Sequence, residues 1–153
     1  MNEPAAVDVR RADLGDVDAI APLFDAYRQF YECPPDLALA QDYLAARIGR
    51  AESIVFAAWS GGEPAGFTQL YPTFCSLEAG AILVLYDLYV APEKRHGGIA
   101  RALLALAAAF GRGQGAVRLE LSTARTNVTA QRLYEASGWV RDDVYLHYSL
   151  SLR

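Results

Sequence analysis

Between Leu88 and Arg101 the chain carries residues suited to holding an anion: Leu88-Tyr89-Val90-Ala91-Pro92-Glu93-Lys94-Arg95-His96-Gly97-Gly98-Ile99-Ala100-Arg101. An apolar stretch leads into a proline-marked turn, then a glycine pair, then an alanine- and leucine-rich segment that reads as helix. Glycine lets successive amide protons converge on one point, and the start of a helix adds about half a positive charge there. Arg95 and Arg101 flank the turn with full charges. By chemistry alone this is a cradle for a pyrophosphate, although a ligand-free strand-to-helix turn could use the same glycines. No Lys-Ser/Thr pair follows the glycines, and the Gly-x-Gly-x-x-Gly order of a dinucleotide fold is missing.

Just upstream, Asp87 interrupts a stretch that is otherwise apolar from Ile82 to Val90. A carboxylate there is costly unless it is hydrogen-bonded, metal-bound or solvated in a cleft. Two readings fit: an acid that faces a cationic substrate, or an aspartate that caps a bulge and satisfies backbone amides. Tyr27, Tyr31, Tyr71, Phe74 and Tyr145 could line an aromatic cleft beside it, with Asp87 or Glu32 for a cation. Such walls suit a primary amine through cation–π attraction. The helical spacing of Tyr27 and Tyr31 equally suits a core stripe.

The loop also resembles the acetyl-CoA loop of the GNAT superfamily, Arg/Gln-x-x-Gly-x-Gly/Ala after a strand ending Leu-x-Val-x-Pro. Arg95, Gly98 and Ala100 fill that pattern. A second segment, Asn127-x-x-Ala130-x-x-x-Tyr134-x-x-x-Gly138-Trp139, is similar to the family's Asn-x-x-Ala-x-x-x-Tyr-x-x-x-Gly-Phe. Shorter strings, Tyr27-Arg28-Gln29-Phe30-Tyr31, Gly66-Phe67-Thr68-Gln69-Leu70-Tyr71 and Asp87-Leu88-Tyr89-Val90, look like the branch holding histone- and polyamine-acetylating enzymes. That branch often dimerises through C-terminal strands, so the resemblance implies a homodimer.

The resemblance implies an N-acetyltransferase in which an amine attacks the thioester of acetyl-CoA directly within a ternary complex. It implies that Tyr134 is the general acid toward the coenzyme A sulfur. It further implies that Asp87 faces the amine, with Glu120 as a weaker candidate for the base. The cofactor would be held by Leu88, Tyr89, Val90, Arg95, His96, Gly97, Gly98, Ile99, Ala100, Arg101, Asn127 and Tyr134. Leu88 and Val90 would pair through their backbone with the pantetheine arm, as an added strand does. Asn127 also reads as a helix N-cap, with or without a ligand. Tyr27, Tyr31, Tyr71 and Asp87 are the expected acceptor-site residues. One departure stands out: His96 occupies a position where relatives carry glycine, so Gly97 is expected to take over part of the backbone freedom. The other reading of the same fold is a non-catalytic acyl-CoA-binding sensor or partner protein.

A chain of 153 residues with 53% hydrophobic content fits one domain, here expected to span residues 1–153. The net charge of −4 speaks against broad attraction to nucleic acid or an anionic membrane. Cys33 and Cys75 form no disulfide framework, and with only His96 and His147 a metal site is poorly supplied. The N-terminus, Met-Asn-Glu-Pro, shows no basic region followed by an apolar stretch, and the chain is read as cytoplasmic.

The elements that must position these groups follow from hydrophobic spacing. Val7 to Arg10 reads as a strand. Asp13 reads as an N-cap with Asp16 three residues on, opening a helix whose stripe is Val17, Ile20, Phe24, Tyr27 and Tyr31. Pro34-Pro35 ends it, and Leu37 to Ile48 forms a second helix. Strands follow over Ile54–Trp59, Gly66–Tyr71 and Ile82–Val90. A helix runs from Gly98 to about Gly111, a strand over Val117–Ser122, and a helix from Thr129 to Ser137 ending at Gly138. Trp139 and Val144 to Leu152 read as a last pair of strands. This order predicts an α/β (α+β) GNAT fold: a mixed, mostly antiparallel twisted sheet of six to seven strands with helices on both faces.

Overall fold

The computed structural model describes residues 6–153; Met1 to Ala5, which include the Met-Asn-Glu-Pro stretch expected to carry no secretory signal, lie outside the described residues. The chain forms two compact units, divided between Ser122 and Thr123.

The first unit is built on a five-stranded sheet in the order β1-β2-β3-β4-β5. The strands are β1 Val7–Arg11, β2 Ile54–Ser60, β3 Glu63–Cys75, β4 Gly80–Val90 and β5 Arg118–Glu120. The first four pair antiparallel, and β5 lies parallel to β4. Three helices accompany them: α1 Val17–Phe30, α2 Leu37–Gly49 and α3 Ile99–Gly113.

The register shows which helix covers which face. Ala57 pairs with Phe67 and Phe56 with Thr68, so Phe67 and Phe56 point to opposite sides. Phe67 meets Phe24 and Tyr27 of α1 edge-on at 6.0 Å each, whereas Phe56 meets Phe110 of α3 at 5.5 Å. Thus α1 packs on one face of the sheet and α3 on the other. Ile20, Leu44, Phe67, Leu70 and Leu103 are fully buried between these layers. The sheet is buried on both sides near its centre, which is why the middle strands read as continuous apolar runs.

Local signals account for the helix ends. Asp13 is an N-cap as expected, and with Asp16 it forms a capping box that closes a short 3-10 turn (Leu14–Asp16) running into α1. The Asp25 carboxylate reaches from α1 to accept the backbone amide of Asp36 at 2.9 Å, and Asp36 in turn caps α2 by accepting from Leu39. The two helices are therefore tied at the Pro34-Pro35 corner.

The second unit, Thr123–Arg153, holds α4 Val128–Ala136. Asn127 is its N-cap, accepting the Ala130 amide at 3.2 Å. Gly138, at φ 87°, turns the chain out of the helix in the left-handed conformation expected there.

Three expectations need correction. Residues 139–153 carry no strand: the alternation from Val144 to Leu152 is present, but a strand needs a ladder partner, and these residues are exposed without one. The described sheet accordingly has five strands rather than six or seven, and β5 is three residues long instead of running from Val117 to Ser122. Conversely, β3 continues through Pro72 to Cys75, since its hairpin partner Gly80–Val84 carries the ladder past the proline.

Candidate active site

Two features of β4 shape the site. Gln69 of β3 pairs with Asp87 but Leu70 pairs with Leu85, so Tyr86 is one residue too many and forms a β-bulge. On its other edge β4 pairs with β5 only from Ile82 to Val84. Beyond Val84, no described strand of the sheet adjoins that edge of β4. An extended amide-bearing ligand can pair with the backbone of Leu88 and Val90 there as an added strand does.

Past Val90 the chain runs through Pro92 and a short 3-10 turn (Pro92–Lys94) to the start of α3. Gly98 is the N-cap at φ 79°, and no side chain caps the helix. The first-turn amides, including those of Ile99, Ala100 and Arg101, have no acceptor within the helix. The Arg95 side chain donates from Nε to the Val90 carbonyl at 2.9 Å and lies 5.5 Å over the Tyr89 ring. One of its five N–H groups is thus used to fix the guanidinium beside the loop. His96, Gly97 and Arg101 are exposed, while Ile99 is buried and anchors the helix start.

The backbone of this loop differs from the sequence expectation. Gly97 is not in the left-handed region; His96 is, at φ 65°, with Gly98 following. Histidine is among the residues that enter that region more readily than most, so it can take the conformation itself. The glycine beside it does not relieve it.

At the bulge, Asp87 is buried. Its carboxylate accepts the Gln69 Nε2–H at 2.8 Å, and its carbonyl accepts the Thr68 hydroxyl at 2.7 Å. Burial pushes the Asp87 carboxyl above the usual carboxylate range; the Gln69 amide and the Tyr27 hydroxyl pull the other way, and burial prevails. Tyr27 donates to the Tyr86 carbonyl at 3.3 Å. Burial first, and then the nearby Asp87, lift its phenol well above the ordinary range. Tyr71 is lifted the same way, by burial and by its hydroxyl partner Tyr43 at 2.7 Å. Both tyrosines stay neutral and can donate. The Tyr71 ring lies 5.5 Å from Tyr86, and Tyr31 stands edge-on to Tyr27 at 5.1 Å with its own side chain half exposed.

The structure thus brings Tyr27, Tyr31, Tyr71 and Asp87 into one cluster and adds Tyr43, Gln69 and Tyr86. Gln69, which sequence reasoning passed over, carried the same signal as Asp87: a polar side chain in an apolar strand. Phe74 does not join, being exposed and paired with Ala81 near the hairpin end. Glu32 is exposed in the turn after α1, and Glu120 is exposed on β5 in an ion pair with Arg118 at 3.1 Å. In the second unit, Tyr134 is half-buried with its ring 6.1 Å from Trp139, and Tyr145 is exposed. Among the described residues no three of His, Cys, Asp and Glu are grouped to hold a metal ion, and no helix is long and apolar enough to cross a membrane.

A family model described as "Acetyltransferase (GNAT) family" matches residues 20–139. The chain belongs to the GNAT acetyltransferase family. This GNAT chain is 41% identical over 146 residues to the uncharacterized N-acetyltransferase YhfO of Bacillus subtilis (strain 168), covering 95% of the chain and 98% of the relative. It is 38% identical over 85 residues to the thialysine N-epsilon-acetyltransferase of Caenorhabditis elegans, covering 56% of the chain and 52% of the relative. A crystal structure of a probable acetyltransferase superposes with a TM-score of 0.89 at 36% identity, covering 95% of this chain and 98% of that one. The GNAT chain is therefore an acyltransferase enzyme. The open β4 edge and the uncapped start of α3 fit the pantetheine and pyrophosphate of a coenzyme A thioester, respectively.

Proposed function

We propose that this chain transfers the acetyl group of acetyl-CoA to a primary aliphatic amine by direct attack in a ternary complex. One observation carries the reading: buried Asp87 stands in β4 immediately before the open edge at Leu88 and Val90, which leads on to the α3 N-terminus. A single strand so links an amine-binding carboxylate to a donor-binding edge.

In this reading the amides of Gly98, Ile99, Ala100 and Arg101, with Arg95 and His96 beside them, hold the pyrophosphate. Leu88 and Val90 hold the pantetheine. The thioester supplies the electrophilic carbonyl carbon. Asp87 and the neutral hydroxyls of Tyr27 and Tyr71 orient the amine, with Tyr31 as an outer wall. As the N–C bond forms and the C–S bond breaks, Asp87 takes the amine proton, directly or through one water. The departing sulfur takes a proton from Tyr134, a role assigned on the likeness of the segment Asn127 to Gly138 to the family pattern. The upward shift of Asp87 suits proton acceptance, because a base works best when its pKa approaches the operating pH. A relative named for acetylating the ε-amine of thialysine supports a primary aliphatic acceptor.

The test is free-thiol release from acetyl-CoA across a panel of thialysine, lysine, a polyamine, a peptide and an aminoglycoside, each against a no-amine control. Amine-dependent release supports transfer. Coenzyme A binding without release for every amine sinks it.

We infer also that the enzyme works in the cytoplasm as a homodimer. Two free cysteines suit a reducing compartment. The residues Val144, Leu146, Tyr148, Leu150 and Leu152 alternate along an exposed, unpaired segment, and such a segment favours pairing with a second chain. Sedimentation velocity on the whole chain and on a chain ending at Gly138 checks this: the first should run as a dimer, the second as a monomer.

A further inference from the structure

The Gln69 side chain is fully buried, donates from Nε2 to Asp87, and leaves its Oε1 buried without a hydrogen-bond partner. A buried amide oxygen left unpaired keeps the cost of its desolvation. A leucine or methionine would fill the same space without that cost. Something other than packing must account for an amide here.

An amide differs from a leucine or methionine of similar size in that it both donates and accepts, and it does so without carrying charge. An ionised Asp87 needs a donor. A protonated Asp87 is itself a donor and needs an acceptor. Rotation of the Gln69 amide by a half-turn about its last bond exchanges one for the other without moving the strand. We propose that Gln69 is the positioning residue for Asp87, donating from Nε2 to the carboxylate and turning Oε1 toward the carboxylic acid once the acceptor's proton has arrived. The unpaired Oε1 is then the acceptor kept for the second state.

The proton balance is simple. The amine nitrogen loses one proton, Asp87 Oδ gains it, and solvent removes it after acetyl transfer. Gln69 neither gains nor loses a proton. The groups facing Asp87 are Tyr27 from α1 and Gln69 and Tyr71 from β3, with Tyr86 preceding it on its own strand. Behind Tyr71 stand Tyr43 and Arg47 of α2. Burial keeps Tyr27 and Tyr71 neutral, and of the neighbours Gln69 is the one whose side-chain amide is hydrogen-bonded to the Asp87 carboxylate in the buried strand pair.

This inference rests on the reading of Asp87 as the proton acceptor, and the experiment separates the two. The whole chain, labelled with carbon-13 and nitrogen-15, is titrated by NMR while the Asp87 carboxyl carbon and the Gln69 side-chain amide are followed. In the wild type, the Gln69 amide resonances should move with the same midpoint as Asp87. In Gln69→Met, which can neither donate nor accept, the Asp87 midpoint should rise by about one pH unit, the excess of the charge-assisted hydrogen bond to the carboxylate over the neutral one to the acid. Gln69→Glu, fixed as an acceptor when ionised, should not restore it. A Gln69 amide that ignores the Asp87 titration overturns the proposal, and this needs no variant to fold. So does an unmoved midpoint in a folded Gln69→Met. With thialysine as acceptor, the acid limb of kcat/KM should follow the NMR midpoint in each variant. If the midpoint moves and the acid limb stays, the pairing with Gln69 stands and the assignment of Asp87 as proton acceptor fails.

Discussion

The hydroxyl of Thr68 donates to the backbone carbonyl of Asp87 at 2.7 Å, one residue past the bulge, with Thr68 fully buried. It holds β4 to β3 at the place where the extra residue loosens the ladder. Thr68→Val keeps the shape and removes the donor. We expect a loss of about 1–2 kcal/mol, the usual cost of stripping one partner from a buried hydrogen bond. Urea unfolding followed by tryptophan fluorescence measures it; an unchanged midpoint means that the bulge holds itself.

Asp87→Asn separates function from stability. Because burial raises the Asp87 carboxyl in the folded chain, its charge opposes folding. The stabilising effect of the protonated form is present below the ordinary carboxylate pKa of about 3.9 and is lost as pH rises through the raised value. The asparagine variant does not titrate. Its stability relative to wild type should therefore grow between acid and neutral pH, as urea midpoints at both values would show. Over the same range kcat/KM should fall by about tenfold or more and lose its acid limb. A variant that keeps the limb would remove Asp87 from proton transfer.

His96 adopts φ 65°, a conformation that costs a side-chain-bearing residue roughly 1–2 kcal/mol. His96→Gly should recover part of that in thermal or urea unfolding and leave the loop's shape intact. Gly98→Ala, at φ 79°, should lose a similar amount and also weaken coenzyme A binding, because it disturbs the amides at the α3 start. Isothermal titration with coenzyme A gives both affinities. Equal affinity for Gly98→Ala and wild type would count against the α3 N-terminus as the pyrophosphate site.

Tyr134→Phe should lower turnover on the order of tenfold or more while leaving the coenzyme A Kd largely intact. It should also keep its packing against Trp139, since the ring contact does not need the hydroxyl. Pre-steady-state thiol release is the direct measurement; full activity would remove Tyr134 from the mechanism.

Most of the first unit was legible because its elements are set by local rules. The Asp13 cap with Asp16 behind it, the proline corner and the Gly98 helix start all act within a few residues. The candidate donor stretch could be proposed from sequence for the same reason, being one continuous segment from Leu88 to Arg101. What escaped depends on partners far along the chain. Alternation in Val144 to Leu152 signals a strand but not the neighbour it would need. Pro72 looks like a strand end until Leu83 pairs with it. The role of Gln69 appears only once the register sets it opposite Asp87, eighteen residues away in sequence. The conformation of His96 escaped because a neighbouring glycine suggested an easier solution that the backbone did not take.

Tyr86 is, in effect, a spare residue. Leu85 shares a face with Leu70 and Asp87 shares the opposite face with Gln69, although the two residues sit two apart in β4. Removing Tyr86 would straighten the strand and leave every other side chain on its present side. Adding a residue at the same point would keep the faces too, but an unbulged strand would then slide two positions along β3, setting Asp87 opposite Phe67 instead of Gln69 and shifting every pair beyond it. The strand therefore tolerates length changes in one direction only, and single-codon deletions and insertions here should have opposite fates even though most substitutions at exposed Tyr86 preserve the fold. The deleted form would fold around a flat strand that no longer bends Asp87 out of line, leaving an intact scaffold with a poorly aimed carboxylate.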